Sequence, residues 1–149
     1  MLINLDTGIL LRLLDRNDPQ HASIRQALRM FRARGDEAVS SPQNLAEFWN
    51  VCTRPSSARG GFGLSIQETD RRVRLLERLF RILPDSAPAY PLWRQILVQY
   101  GVQGVQVHDA RLVAWMQTHG ITHILTLNAP DFARYSGITA WTPQNVLAP

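Results

Sequence analysis

Short apolar runs and amphipathic segments alternate along this chain, a pattern that predicts alternating strands and helices. Four runs have the length and composition of short strands, at residues 2–5, 37–40, 122–127 and 138–141. Apolar stripes and helix-start signals predict helices at residues 9–14, 20–34, 42–53, 66–83, 89–100 and 107–119, with a short helix from Asn128. Short buried strands between helices indicate one α/β/α domain with a central, mostly parallel sheet.

Several polar residues follow the predicted strands directly. Asp6 and Asn128 come after the first and third predicted strands. Ser41 and Pro42 follow the second strand and look like an N-cap with proline at the first helical position. Glu47 lies less than two turns into the helix that they begin. Because ligands bind beyond the carboxyl ends of strands in such sheets, these segments are expected to converge at one edge.

Asp109 is the most informative acidic residue. Leu112, Val113 and Met116 follow it at helical spacing, so Asp109 lies on the apolar stripe of its own helix. A carboxylate on a buried face is costly unless it is paired or binds a cation. The alternative is that a first-turn aspartate only stabilises its own helix terminus.

The other candidate acids each have an ordinary structural interpretation. Asp6 has the position of a helix N-cap. Glu47 lies off the apolar face of its helix, as a solvated surface glutamate would. Asp131 follows Asn128 by three positions, much like a capping box, although Asn128 could instead orient a water or ligand.

Composition adds a basic surface to this picture. The 149 residues carry a formal net charge of +4, and all 16 basic residues are arginine, which suits phosphate binding. The alternative explanation for the missing lysine is the codon usage of a GC-rich genome. Setting four candidate site acids aside leaves 8 acidic residues against 16 arginines. The single cysteine, Cys52, and the absence of an apolar run of membrane-spanning length or a signal peptide favour a cytoplasmic protein.

Four segments resemble the PIN-domain nucleases, and more narrowly the small VapC-like toxin ribonucleases of toxin–antitoxin pairs. They are LINLDTGILLRLL, AEFWNVCTRP, GVQVHDARLVAWMQTHGITHILTLNAPDFARY and GITAWTP, in the family's order over almost the whole chain. The chain departs from the family where many members place an aspartate directly after the last core strand. Asn128 stands there, and Asp131 is then the candidate fourth acid.

The resemblance implies a PIN-like fold and a metal-dependent endoribonuclease toxin, with an RNA substrate, a cognate antitoxin and a homodimeric assembly. Clustered carboxylates favour Mg²⁺, with Mn²⁺ as a substitute. Asp6 and Asp109 are the expected first ligands, and Glu47 and Asp131 would bind a second ion or position a water. The expected supporting and phosphate-contacting residues are Thr7, Thr126, Asn128, Arg54 and Arg59.

Three alternatives stay open from the sequence. The chain could bind RNA or a protein without catalysis, its acids serving as helix caps. It could be a PIN-like nuclease of RNA processing rather than a toxin. A strand-end aspartate also suits a phosphatase, although no second aspartate stands two residues after Asp6.

Overall fold

A computed structural model describes residues 1–149, and its centre is a five-stranded parallel sheet in the order β3-β2-β1-β4-β5. The strands are β1 (Leu2–Leu5), β2 (Glu37–Ser40), β3 (Arg81–Ile82), β4 (His123–Leu125) and β5 (Thr139–Trp141). The helices are α1 (Thr7–Leu13), α2 (His21–Arg34), α3 (Pro42–Thr53), α4 (Ile66–Leu79), α5 (Ala89–Gln99), α6 (Val107–Thr118) and α7 (Pro143–Leu147). The predicted α/β class with a parallel sheet is confirmed.

Two apolar cores cover the two faces of the sheet, because successive strand residues point to opposite sides. Leu125 belongs to the core formed with α1, α2 and α3, whereas its neighbour Ile124 belongs to the core formed with α5 and α6. The apolar face of the helix predicted at residues 9–14 is mostly core, since Ile9, Leu10 and Leu11 are buried. None of the helices is both long and apolar enough to cross a membrane.

The central position of β1 determines where the site forms. β1 pairs with β2 on one side and β4 on the other, and all of these strands run in one direction. The backbone N–H of Asp6 continues the ladder by donating to the Leu125 carbonyl at 3.0 Å. The segments that follow β1, β2 and β4 therefore meet at one edge of the sheet, as predicted.

The predicted helix over residues 66–83 is too long. It ends at Leu79, and Phe80 is extended with φ −135° and ψ 145°. The next residues form β3, which pairs with β2, and the Leu83 N–H donates to the Ser40 carbonyl at 3.0 Å. Pairing with an open sheet edge outweighs the helical spacing of the apolar residues. Three further differences are smaller. The helix predicted at 9–14 begins earlier, at Thr7, and the strand predicted at 122–127 is shorter, at His123–Leu125. The short helix α7 was not predicted.

Candidate metal and active site

Asp6 lies at the carboxyl end of β1 and uses its two carboxylate oxygens differently. Oδ1 caps α1 by accepting from the Thr7 N–H at 2.9 Å. Oδ2 accepts from the Thr126 hydroxyl at 2.6 Å, just beyond β4. The capping interpretation is therefore correct for one oxygen, while the other oxygen is held by a neighbouring strand. Two supporting residues predicted from the sequence, Thr7 and Thr126, contact Asp6 directly.

Glu47 faces the site and is not a solvated surface residue. Its Oε2 accepts from the Thr7 hydroxyl at 2.7 Å, and its Oε1 accepts from the Gln43 side chain at 3.2 Å. Thr7 thus joins the two acids, because its N–H donates to Asp6 and its hydroxyl donates to Glu47. The helix that begins at Ser41 brings Glu47 to the edge where Asp6 lies.

Asn44 is a fully buried residue of this site that the sequence analysis did not identify. Its amide nitrogen lies 3.4 Å from Asp6 Oδ1 and 3.2 Å from Thr7 Oγ1. Ser41 caps α3 through the Asn44 N–H, and its hydroxyl donates to Asn44 Oδ1 at 2.7 Å. The available signal was the spacing from Asn44 to Glu47, which places both on one face of α3.

Asp109 occupies the first turn of α6, and Leu112, Val113 and Met116 behind it are buried as predicted. Burial, together with the smaller effects of the negative charges of Asp6, Asp131 and Glu47, raises the pKa of Asp109 from 3.8 to about 6. Arg134 acts in the opposite direction. The folded protein therefore disfavours the charged form of this carboxylate. An aspartate that only stabilises its own helix N-terminus would instead have a lowered pKa.

Asp131 is exposed on a short 3-10 helix, Ala129–Phe132, yet its charge acts on the same site. Burial raises the pKa of Asp6, hydrogen bonds from Thr126 and Thr7 lower it, and the charges of Glu47 and Asp131 raise it. Asn128 makes no side-chain cap, so the capping-box alternative for Asp131 is wrong. The Asn128 N–H instead donates to Thr126 Oγ1 at 3.1 Å, which supports the hydroxyl that holds Asp6.

Arg54 and Arg59 belong to the glycine-rich loop after α3, at about residues 54–64, whereas another arginine, Arg134, lies beside the acids. Arg54 donates to the Arg59 carbonyl at 2.6 Å, so its guanidinium closes the loop. The charge of Arg134 acts directly on Asp109, and its side chain is positioned by Gln106 Oε1 at 2.5 Å. Arg134 could not be assigned a role from the sequence, because only the fold brings the segment of the 3-10 helix next to α6.

The potential metal ligands of the site are carboxylate oxygens, which a hard divalent cation prefers. No group of three or more His, Cys, Asp or Glu side chains is drawn close enough together to hold a metal ion in this geometry. The charges of Glu47 and Asp131 nevertheless act on both Asp6 and Asp109 at the same edge of the sheet. The fold and these residues define a parallel α/β domain with one acidic centre.

The family model that matches the chain is the PIN domain, over residues 3–138. The chain therefore belongs to the PIN-domain family. No curated protein matches the chain in sequence.

Solved structures share this fold at low sequence identity. The VapBC2 complex from Rickettsia felis, bound to a promoter DNA fragment, matches with a TM-score of 0.70 and 16% identity over 95% of this chain and 98% of that one. A toxin–antitoxin complex from Klebsiella pneumoniae matches with a TM-score of 0.64 and 21% identity over 95% and 97%. VapC20 from Mycobacterium tuberculosis, a Sarcin-Ricin loop cleaving toxin, matches with a TM-score of 0.58 and 20% identity over 82% and 86%.

The raised pKa of Asp109 predicts a pH-dependent effect of Asp109→Asn on stability when a chelator is present. The pKa is higher in the folded state than its ordinary value of 3.8, so ionisation penalises the folded state as the pH rises from about 4 through about 6. The neutral asparagine avoids that penalty. We expect the variant to be more stable than wild type at pH 7, with the gain shrinking towards pH 4, in urea unfolding across this range.

Asp70→Asn is the matched control, because Asp70 is an exposed aspartate that pairs with Arg74 on α4. Its effect should stay within about 0.5 kcal/mol at every pH, as is usual for surface substitutions. A stability gain in Asp109→Asn that is the same at pH 4 and pH 7 would show that the Asp109 charge is not the cause.

Proposed function

We propose that the chain is a metal-dependent endoribonuclease whose centre is formed by Asp6, Glu47, Asp109 and Asp131. The observation that carries this proposal is that Asp6 and Asp109, whose pKa values are raised first by burial, are both also acted on by the charges of Glu47 and Asp131. Carboxylates gathered in this way favour binding of a cation that neutralises them. Membership of the PIN-domain family supports the same chemistry.

Asp6 and Asp109 would hold Mg²⁺ or Mn²⁺, with Glu47 and Asp131 as further ligands or as partners of a bound water. When bound, the ion would polarise the phosphodiester and lower the pKa of a water. Thr7 and Thr126 fix the Asp6 carboxylate through hydrogen bonds of 2.9 Å and 2.6 Å, which keeps its orientation constant. Such supporting hydrogen bonds commonly determine how well a ligand set binds its metal.

The substrate is proposed to be RNA because the chain as a whole is basic, with a formal net charge of +4, and an arginine lies beside the acidic centre. All 16 basic residues are arginine, against 12 acidic residues in total. Arg134 lies where its charge already acts on Asp109, so it can attract a phosphate to the acids. The fold is shared with VapC20, which is a Sarcin-Ricin loop cleaving toxin.

Cleavage of RNA in the presence of Mg²⁺ or Mn²⁺ should depend on Asp6 and Asp109, the two residues proposed to hold the metal ion. We expect Asp6→Asn and Asp109→Asn each to lower the cleavage rate by at least about 100-fold, above the 10- to 100-fold loss typical of a supporting residue. Gel electrophoresis of labelled RNA gives the rate, and circular dichroism verifies that both variants fold. Chelator should abolish the wild-type activity.

Asp70→Asn serves again as the control and should cleave RNA at the wild-type rate. Full activity of either ligand variant would refute the assigned ligand. Cleavage that persists in chelator would refute the metal requirement.

We further propose that the nuclease is a toxin neutralised by an antitoxin. The solved structures that share this fold include a toxin–antitoxin complex from Klebsiella pneumoniae and VapBC2 from Rickettsia felis. A groove of about 650 Å³ between α2, α4 and the end of α1 is lined by four leucines, several arginines and one acidic residue, Glu68. Such a groove would suit an acidic amphipathic segment of a partner. The arginines that line it are Arg16, Arg25, Arg71, Arg72, Arg74 and Arg78.

Expression of the chain alone in bacterial cells should arrest growth if it is a toxin. Asp6→Asn should abolish the arrest at equal protein levels, because it removes a proposed metal ligand, whereas Asp70→Asn should retain it. Colony counts after induction measure the effect. Active RNA cleavage in vitro without growth arrest would favour a nuclease of RNA processing.

The homodimer expected from the family resemblance stays a prediction.

A further inference from the structure

A second cavity, of about 540 Å³, lies between α5 and α6 beside the acidic centre. Gln43 forms part of its wall and connects the two sites: its amide nitrogen donates to Glu47 Oε1 at 3.2 Å and to the His108 carbonyl at 2.8 Å. His108 lines the cavity, and Asp109 is the next residue on α6. A molecule in this cavity would therefore be adjacent to the proposed centre of cleavage.

Three aromatic side chains line the cavity, and two of them are held by hydrogen bonds. The indole N–H of Trp93 donates to the Val107 carbonyl at 2.9 Å, and that of Trp115 donates to the Pro84 carbonyl at 3.1 Å. Tyr90 is 64% exposed, and its ring centroid lies 6.2 Å from that of Trp93. An exposed aromatic ring beside a fixed one offers a stacking surface for a planar ligand.

One cationic side chain at this cavity is available to an anion-bearing ligand. Arg111 lines it and forms none of the ion pairs of the structure, whereas Arg71 and Arg74 on α4 pair with Glu68 and Asp70. Asp85 is the one acidic residue among the lining residues. A guanidinium without a carboxylate partner is available to bind phosphate as a fork.

We infer that this cavity binds a nucleobase of the RNA next to the cleaved bond, with the base stacked on Tyr90 and an adjacent phosphate held by Arg111. This inference rests on the proposed ribonuclease function. The volume lies within the range of about 300–1,000 Å³ usual for small-ligand sites, so it suits one nucleotide unit. Gln43 and His108 add polar groups that can contact the base edge.

The first test compares Tyr90 variants for binding of a fluorescein-labelled 12-nucleotide single-stranded RNA, with chelator present to prevent cleavage. Fluorescence anisotropy gives the dissociation constant. We expect Tyr90→Ala to weaken binding about tenfold, as loss of one stacked base does, and Tyr90→Phe to stay within about twofold because the ring is retained. Val98→Ala is the control, since Val98 is 85% exposed on the same helix but does not line the cavity.

The second test separates the phosphate contact from stacking through the salt dependence of binding. Arg111→Gln should reduce the slope of log affinity against log salt by about 0.7, the value for one phosphate contact on a single strand. Tyr90→Ala should leave that slope unchanged. An unchanged slope in Arg111→Gln would overturn the phosphate contact.

The base-binding role is overturned if wild type does not bind this RNA, or if Tyr90→Ala binds it as tightly as wild type. It is also overturned if Tyr90→Ala changes only the oligomeric state in size-exclusion chromatography, because the cavity would then be a protein contact. These results are distinguishable from failure of the proposed function. A wild-type protein that binds RNA through Tyr90 but never cleaves it would contradict the nuclease and not the cavity.

Discussion

Electrostatic repulsion among four carboxylates at one edge of a parallel sheet is the constraint on which this site depends. Burial already disfavours the charged form of Asp6 and Asp109, and neighbouring negative charges add to that cost. The fold tolerates these negative charges because β1 is central and hydrogen-bond donors surround its carboxyl end. Thr7 and Thr126 donate hydrogen bonds to Asp6, so this buried acid has direct partners that stabilise its carboxylate.

The supporting residues connect the fold to the proposed chemistry. Asn44 is buried beneath Asp6 and Thr7 and is itself held by the cap of α3, so a feature that begins a helix also orients the acids. Gln43 carries this network from Glu47 to the backbone of α6. Gln43 also lines the aromatic cavity, so the proposed base-binding site lies beside the acidic centre.

The sequence predicts the strand-end acid and the buried-face acid because each depends on local periodicity. Asp6 follows an apolar run, and Asp109 shares a stripe with leucine, valine and methionine. Asn44 and Arg134 could not be assigned in the same way, since their roles arise from contacts between distant segments. The error in α4 has a similar origin: Phe80 and Leu83 continue the helical spacing, but two residues between them pair with β2 instead.

Thermal unfolding in the presence and absence of Mn²⁺ tests the acidic centre most directly, because it requires no knowledge of the substrate. At about ten times the dissociation constant, a bound ion stabilises the folded state by about 1.4 kcal/mol, a rise in Tm of roughly 3–6 °C. The account predicts this rise for wild type and Asp70→Asn, and its loss in Asp6→Asn and Asp109→Asn. An equal rise in all four proteins, or none in wild type, would contradict a shared metal site.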